Sequence, residues 1–439
     1  MSDLYKKGLK ALDGKYYDGY NFKFFMRNSD MFLSDIFAEE ETGEIINDAV
    51  YKRNQEVSEK FGVKFSVIKS SNSNYETDAM KNILAGDDAY DVIVPHARAA
   101  FSYVTSNMLL DWRKDLPYVD LSKPWWSADM QKSFTIKNKL FTMTGDLSYT
   151  SLAQAHCLIF NKSIFDELGL DYPYDLVRKG DWTFEEMTKL ADKAVKDING
   201  DGVIKVDDDR IGYFTQQWGG PTDVIYTGGQ RIFGKDDKGL PTLTLNSEKT
   251  ITIFDKYFRF LDTDAAFCST STFGGAKTNP FRDDRAMFST AGLNDLSGLR
   301  DMKSDFGVLP LPKFDKTDKY ATIVDGSHNL YCVPITATDP SRTSVILEAL
   351  SIIGSKEVIP AFYDVALQTK FTRDADSAEM IDIIRDSRVY DLGYLAGGDL
   401  QSAGRDLANS TSKDFASYYA QRETSVLDKI KGIVEVYTK

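Results

Sequence analysis

Between Tyr20 and Pro95 the chain switches twice between short apolar runs and helical periodicity, and this order limits the fold more than any other feature. Tyr20-Asn21-Phe22-Lys23-Phe24-Phe25-Met26-Arg27 alternates and is aromatic, as a strand requires. Asn28-Ser29-Asp30 breaks it. Asp48 to Phe61 carries helical periodicity and stops at Gly62. Val63 to Ile68 reads as a second strand, Tyr75 to Ala85 as a helix stopped by Gly86, and Tyr90 to Pro95 as a short strand, apolar but for Asp91. A strand without a polar face belongs inside a parallel sheet. Strand, helix, strand, helix, strand therefore predicts an α/β lobe wound around parallel strands.

The chain has 439 residues, enough for two such bodies. Leu140 to Asn161 reads as a crossing into a second lobe, and Ala321 to Gly326 as the return. Helices are expected from Ser163 and around Asp181-Trp182-Thr183-Phe184, with Trp182 packing inward. Asn246-Ser247-Glu248 is expected to cap a helix over Lys249 to Leu261, although Glu248 stands one position early for a capping box. Arg285 to Thr290 and Phe306 to Pro312 read as short strands. Pro340 starts a helix running to about Ile353, and Ser425 to Tyr437 is the clearest helix of a helical tail. No internal repeat or low-complexity linker interrupts the chain.

Composition removes several functions. With 53 basic and 66 acidic residues the net charge is −13, which disfavours nucleic acid and anionic lipid. No apolar run of about 18 residues is present to span a membrane. Met1 is not followed by a basic and then apolar leader. Cys157, Cys268 and Cys332 fit neither a zinc knuckle nor a redox pair and read as inert thiols, with Cys268 the more exposed. Three histidines, 96, 156 and 328, are too few for a polyhistidine metal site. Gly-x-Ser-x-Gly, a P-loop and HExxH are absent. Carboxylates are plentiful, so a glycosidase acid pair stays open.

A set of ordered patches runs through the chain: Tyr90 to His96, Lys139-Leu140-Phe141, Leu158-Ile159-Phe160-Asn161-Lys162, Trp182-Thr183-Phe184-Glu185, Asn246-Ser247-Glu248, Asp283-Asp284-Arg285-Ala286-Met287, Gly307 to Pro312, and Asp325 to Leu330. In this order they resemble the family 1 extracellular solute-binding proteins, the ligand-catching subunits of bacterial ABC importers, including maltose- and oligosaccharide-binding members. The resemblance implies a two-lobed, periplasmic-binding-protein-like α/β fold, each lobe an α/β sandwich, with the ligand cleft at the hinge. It divides the chain into 1–145 and 325–372 for the N-terminal lobe and 146–324 and 373–439 for the C-terminal lobe. It implies no catalytic machinery, a carbohydrate ligand, membrane permease subunits as partners and a monomer. Pro124-Trp125-Trp126 and Asp386 to Gly393 resemble a subgroup of lipoproteins from Gram-positive bacteria, which implies an extracellular, cell-surface location. The lipid-bearing cysteine of such proteins does not stand near Met1.

Ligands of α/β lobes are caught at the carboxyl ends of strands. That rule selects Arg27, Asn28 and Ser29 after the first strand and His96 after Val94-Pro95. Asp146 and Tyr149 lie near the first crossing, and Ser327, His328 and Asn329 near the second. In the second lobe it selects Trp218, within Gln216-Gln217-Trp218-Gly219-Gly220, where an exposed indole would offer an apolar face to a sugar ring. Asn294 and Asp295 are added because sugar-binding relatives place a ligand-facing residue there. His156, inside an apolar run, reads as core. Trp125 and Trp126 fit a cleft wall or a packing anchor.

Asp197 to Asp208 resembles an EF-hand-type calcium loop, with oxygen donors at Asp197, Asn199, Asp201, the carbonyl of Val203 and Asp208, and Gly202 at the sharp turn. Lys205 takes the ninth position, and a strand rather than a helix is expected to follow. A calcium ion here would be structural, and no cofactor is required. Other readings of the whole chain are a glycoside hydrolase, or a binder of a peptide, polyamine or organic phosphate.

Overall fold

The computed structural model describes residues 2–71, 77–271, 279–368 and 375–439. Strand Tyr20–Met26 lies between Val63–Lys69 and Val92–Val94, and both run parallel to it. Phe22, Phe24, Phe25 and Met26 are all buried, while Asn21 is exposed and Lys23 half-buried, so only the second half of the central strand is enclosed on both faces. The connecting helix, Ile45–Phe61, starts three residues before the expected Asp48 and ends at Gly62. Gly62 sits at φ 62°, a left-handed cap that strains residues with a Cβ. The next helix is Met80–Ala85; the expected start at Tyr75 lies outside the described residues. Two more segments widen this sheet. Cys332 bridges antiparallel to Ile93, and Tyr331 to Met143.

The second sheet has five strands in the order Phe306–Leu309, His156–Asn161, Ala286–Gly292, Ile211–Gln216, Ala266–Ser269. The first three pair antiparallel, and the last two continue parallel from Ala286–Gly292. Every residue of His156–Asn161 is buried. A Cβ on Gly212 would come within 2.2 Å of the Ala191 carbonyl, so glycine there lets helix Phe184–Ala194 lie directly on the sheet. Trp182 packs inside, its indole N–H donating to the Pro310 carbonyl at 3.0 Å. Ser247, rather than Asn246, caps helix Glu248–Leu261 by accepting from the Thr250 amide.

Between the sheets two chain segments run side by side. Ala155 bridges antiparallel to Val324, and the Asp325 amide donates to the Gln154 carbonyl at 2.9 Å. Asp35, fully buried, ties both crossings together. Its carboxylate accepts from the Ser148 hydroxyl (2.6 Å), the Thr150 amide and hydroxyl (3.0 and 2.7 Å) and the Asn329 side-chain amide (2.7 Å). Arg53, also buried, donates to the Asp35 carbonyl at 2.6 Å and the Leu147 carbonyl at 2.9 Å.

The helix from Pro340 runs on to Gln368, well past Ile353, with Pro360 in its interior. An internal proline costs about 3 kcal/mol; packing of this helix along Ile45–Phe61 offsets it. Trp125 and Trp126 donate their indole N–H groups to Glu348 of this helix at 2.9 and 2.8 Å, so they are packing anchors and not a cleft wall. The expected boundary at 372 lies outside the described residues. Beyond it, Ala375–Asp386 packs beside Phe306–Leu309, while the last helix, Glu423–Thr438, lies on Ala97–Thr105 and brings Tyr437 to within 4.8 Å of the Phe141 ring. Among the described residues no helix is long and apolar enough to cross a membrane.

Candidate functional site

A cavity of about 490 Å³ opens where the carboxyl ends of strands from both sheets face each other. His96 and Arg98 enter it from the start of helix Ala97–Thr105, which follows strand Val92–Val94. Gln154, His156, Asp325 and Ser327 enter from the crossings. Gln216, Trp218, Thr290, Asn294 and Asp295 come from the ends of the second sheet's strands and the turns after them. The volume lies in the usual range for a small ligand, roughly 300–1,000 Å³.

The wall is held by hydrogen bonds within the chain. His96 caps its helix: Nδ1 accepts from the Arg98 amide at 3.2 Å, which leaves the ring proton on Nε2. Burial, then the charges of Arg27 and Arg98, push its pKa down to about 3, so His96 is a neutral hydrogen-bonding group. His156 is the opposite case. Its Nδ1 lies 2.6 Å from Asp223 and its Nε2 3.8 Å from Asp325. Burial alone would lower its pKa, but Asp223, then Asp325 and Asp295, outweigh burial and push it up to about 9. His156 is buried, as a core position is, but it also faces the cavity and carries a proton.

For Asp325 burial favours the neutral acid, but His156 and Arg98, with hydrogen bonds from Ser327, hold its carboxyl well below the usual range. The Ser327 amide donates to it at 2.8 Å. Asp295 is raised, chiefly by burial, although it accepts from the Gly292 amide at 2.8 Å. Two carboxylates and two cations, Arg98 and His156, thus line one space and nearly cancel. Trp218 is half-buried, with the Arg405 guanidinium 4.2 Å and the Arg98 guanidinium 5.2 Å from its ring centre.

Of the residues expected here, His96, Trp218, Asn294, Asp295 and Ser327 line the cavity. Arg27 backs it, donating to the Ser327 carbonyl at 2.9 Å and stacking on Phe32. The other six do not line it. Asn28 is exposed, and Ser29 precedes the short helix Asp30–Leu33. Asp146 accepts from the Ser355 hydroxyl at 2.7 Å, against the long helix. Tyr149 pairs its hydroxyl with Ser34. His328 places Nδ1 2.7 Å from the Asp325 carbonyl and packs on Tyr390. Asn329 serves the Asp35 cluster. The strand-end rule finds loops that border the cavity but not the side of each loop that faces it. Arg98, Gln154, His156, Thr290 and Asp325 were missed; the one available signal was an ionisable His156 inside an apolar run.

In the 197–208 loop the Asp197 carboxylate accepts from the Gly200 and Gly202 amides at 2.7 and 2.8 Å, Asn199 from the Asp201 amide at 2.8 Å, and Asp201 from the Val203 amide at 2.9 Å. That wrapping suits a cation-binding turn. The remaining contacts do not. The Lys205 ammonium lies 2.7 Å from Asp201, and the buried carboxylate that closes the loop is Asp209, not Asp208. Among the described residues no three His, Cys, Asp or Glu side chains converge as metal ligands would. The donor set fits calcium only with Lys205 displaced.

Residues 52–369 match the family model described as bacterial extracellular solute-binding protein. No curated protein matches the chain in sequence. Solved structures do match in fold. The maltose/maltodextrin-binding domain of Bdellovibrio bacteriovorus, bound to maltotriose, is 14% identical with a TM-score of 0.54 over 95% of this chain and 100% of that one. A cyclo/maltodextrin-binding protein complexed with maltotetraose is 15% identical with a TM-score of 0.60 over 96% and 97%. A solute-binding protein of Agrobacterium radiobacter in complex with ribitol is 16% identical with a TM-score of 0.54 over 97% and 100%.

Proposed function

Because the chain belongs to the bacterial extracellular solute-binding proteins, we propose that it captures a sugar or short oligosaccharide in the cavity between its two sheets and hands it to the membrane permease of an ABC importer. The carrying observation is the cavity wall: near-neutral in sum, yet crowded with planar polar groups already held by second partners. Hydroxyls are both donors and acceptors, so they need carboxylates, amides and N–H groups together. The solved structures of like fold carry maltotriose, maltotetraose and ribitol, all polyols. A polyamine is less well served, because Asp325 is already neutralised by His156 and Arg98.

In this reading 1–145 with 325–372 and 146–324 with 373–439 form the two lobes, and closure turns about the paired crossings at Ala155 and Val324. The working form is a monomer held at the surface of a Gram-positive cell by a lipid anchor. A calcium ion in the 197–208 loop, held by Asp197, Asn199, Asp201, the Val203 carbonyl and Asp208, would act only as a fold support, in competition with Lys205.

Calorimetric titration against sugars, polyols, peptides and polyamines tests the ligand class. A saturable heat with one sugar class is expected. Asp295→Ala should weaken it by about 10- to 100-fold, as a lost charge-assisted hydrogen bond does. Saturable turnover of chromogenic glycosides would replace the binding reading with a hydrolase.

A further inference from the structure

The loop that carries Trp218 into the cavity is gripped from behind by the tail. Helix Ala403–Ala408 packs on helix Gly220–Thr227, which starts two residues after Trp218. Gly404 permits this contact, since a Cβ there would stand 2.0 Å from the Pro221 carbonyl oxygen. Arg405 and Asn409, four positions apart, fall on one side of the tail helix. They meet two neighbouring residues of the loop. The Asn409 side-chain amide donates to the Gln217 side-chain carbonyl at 2.7 Å, and the Arg405 guanidinium lies over the Trp218 ring, 4.2 Å from its centre. Arg405 is itself held: its Nε donates to Asp406 at 2.8 Å, and Asp406 accepts from the Tyr418 hydroxyl, also at 2.8 Å. Neither Arg405 nor Asn409 lines the cavity. The Trp218 amide donates to the Gln216 side chain at 2.7 Å, which fixes the main chain. A bond to the main chain does not fix the two torsions that aim an indole. A planar cation over the ring restricts both.

We propose that Arg405 is a positioning residue of the solute site: without touching the solute, it holds the Trp218 indole at the angle at which the ring meets a sugar face. This rests on the sugar reading of the cavity. A ring that is already aimed is not ordered again when the solute binds, so the gain appears as affinity. The tail thereby shapes a wall that it does not reach.

The first arm of the test needs no solute. In protein carrying isotope-labelled tryptophan, the nuclear magnetic resonance signal of the Trp218 indole N–H is identified by its loss in Trp218→Ala. Its relaxation should report a rigid ring in the wild type, a mobile one in Arg405→Ala and an intermediate one in Arg405→Lys, which keeps the charge but loses the plane. The second arm titrates maltotriose, cellotetraose and mannotriose into the wild type, Arg405→Ala, Trp218→Ala and the double variant. Arg405→Ala should weaken whichever glycan binds by about 2- to 5-fold, the scale of a partly exposed cation on a ring, and that loss should vanish once Trp218 is gone. A ring as rigid in Arg405→Ala as in the wild type overturns the proposal, and so does an Arg405→Ala loss that persists in full beside Trp218→Ala. If none of the glycans binds the wild type, the sugar reading falls, and the indole signal alone upholds or overturns the placing of Trp218.

Discussion

Asp35 and Asp325 are both buried carboxylates near the crossings, yet they are held in opposite ways. The donors to the Asp35 carboxylate, Ser148, Thr150 and Asn329, are neutral, Arg53 reaching only its main-chain carbonyl, and burial wins: its pKa is raised. Asp325 faces His156 and Arg98, and there the cations win. Neutral donors hold a carboxylate in place without neutralising it, so the Asp35 cluster is a structural knot. Cations make the carboxylate permanently ionic, so the Asp325 cluster is a charged wall available to a ligand. Hydrogen-bond geometry looks equally complete at both, and only the charge of the partners separates scaffold from site.

Removing each centre should separate them. Asp35→Ala takes the shared acceptor from four buried donor groups and should cost about 4 kcal/mol in urea unfolding. An effect below 1 kcal/mol would mean the crossings are tied elsewhere. His156→Ala strands Asp223 without its cation and leaves Asp325 with Arg98 alone, and should cost about 3 kcal/mol; unlike Asp35→Ala, its folded fraction should lose ligand affinity.

The pH dependence sharpens the contrast. Folded His156 keeps its proton up to about 9, above an ordinary histidine, so its contribution is complete below pH 6.5 and is lost as pH rises through 9. The wild type should lose about 3 kcal/mol across that window, and His156→Ala should flatten the loss. Asp35, raised by burial, acts the other way: its ionisation disfavours the folded state as pH rises above the ordinary carboxylate range. A melting curve flat from pH 6.5 to 9 in the wild type would remove the imidazolium.

Smaller effects follow. Trp218→Ala should weaken ligand binding by about 1 kcal/mol, at the low end for an indole, because two guanidinium groups already occupy its surroundings. Chelation should lower the melting temperature by about 1–2 °C if calcium supports the 197–208 loop, and Lys205→Ala should enlarge the shift. No shift in either protein would leave Lys205 and Asp209 closing the loop alone.

Local pattern carried the first sheet: Tyr20–Met26, Val63–Lys69 and Val92–Val94 stand within a residue or two of the strands read from alternation. It did not carry Ala266–Ser269, half-exposed and flanked by serine and threonine, whose pairing with Ile211–Gln216 makes it a strand. Nor did it carry the helix past Ile353, because Pro360 reads as a breaker until a second helix lies alongside. At the site, loop residues such as His96 and Asn294 were legible from their place after strands. The charged pairs were not. His156 meets Asp223 and Asp325, and Arg98 meets Trp218, across long stretches of chain. One-dimensional periodicity reports burial, and a buried ion pair looks the same as core until its partner is known.

The five tryptophans divide unevenly. Trp112, Trp125, Trp126 and Trp182 are at most 2% exposed, while Trp218 stands half-buried at the cavity with two cations beside its ring. In the proposed reading four indoles emit as a steady background, and the fifth stands where a solute in the cavity would change its surroundings. The protein carries its own optical reporter: intrinsic fluorescence should follow occupancy without a label, and a Trp218→Phe variant supplies the blank.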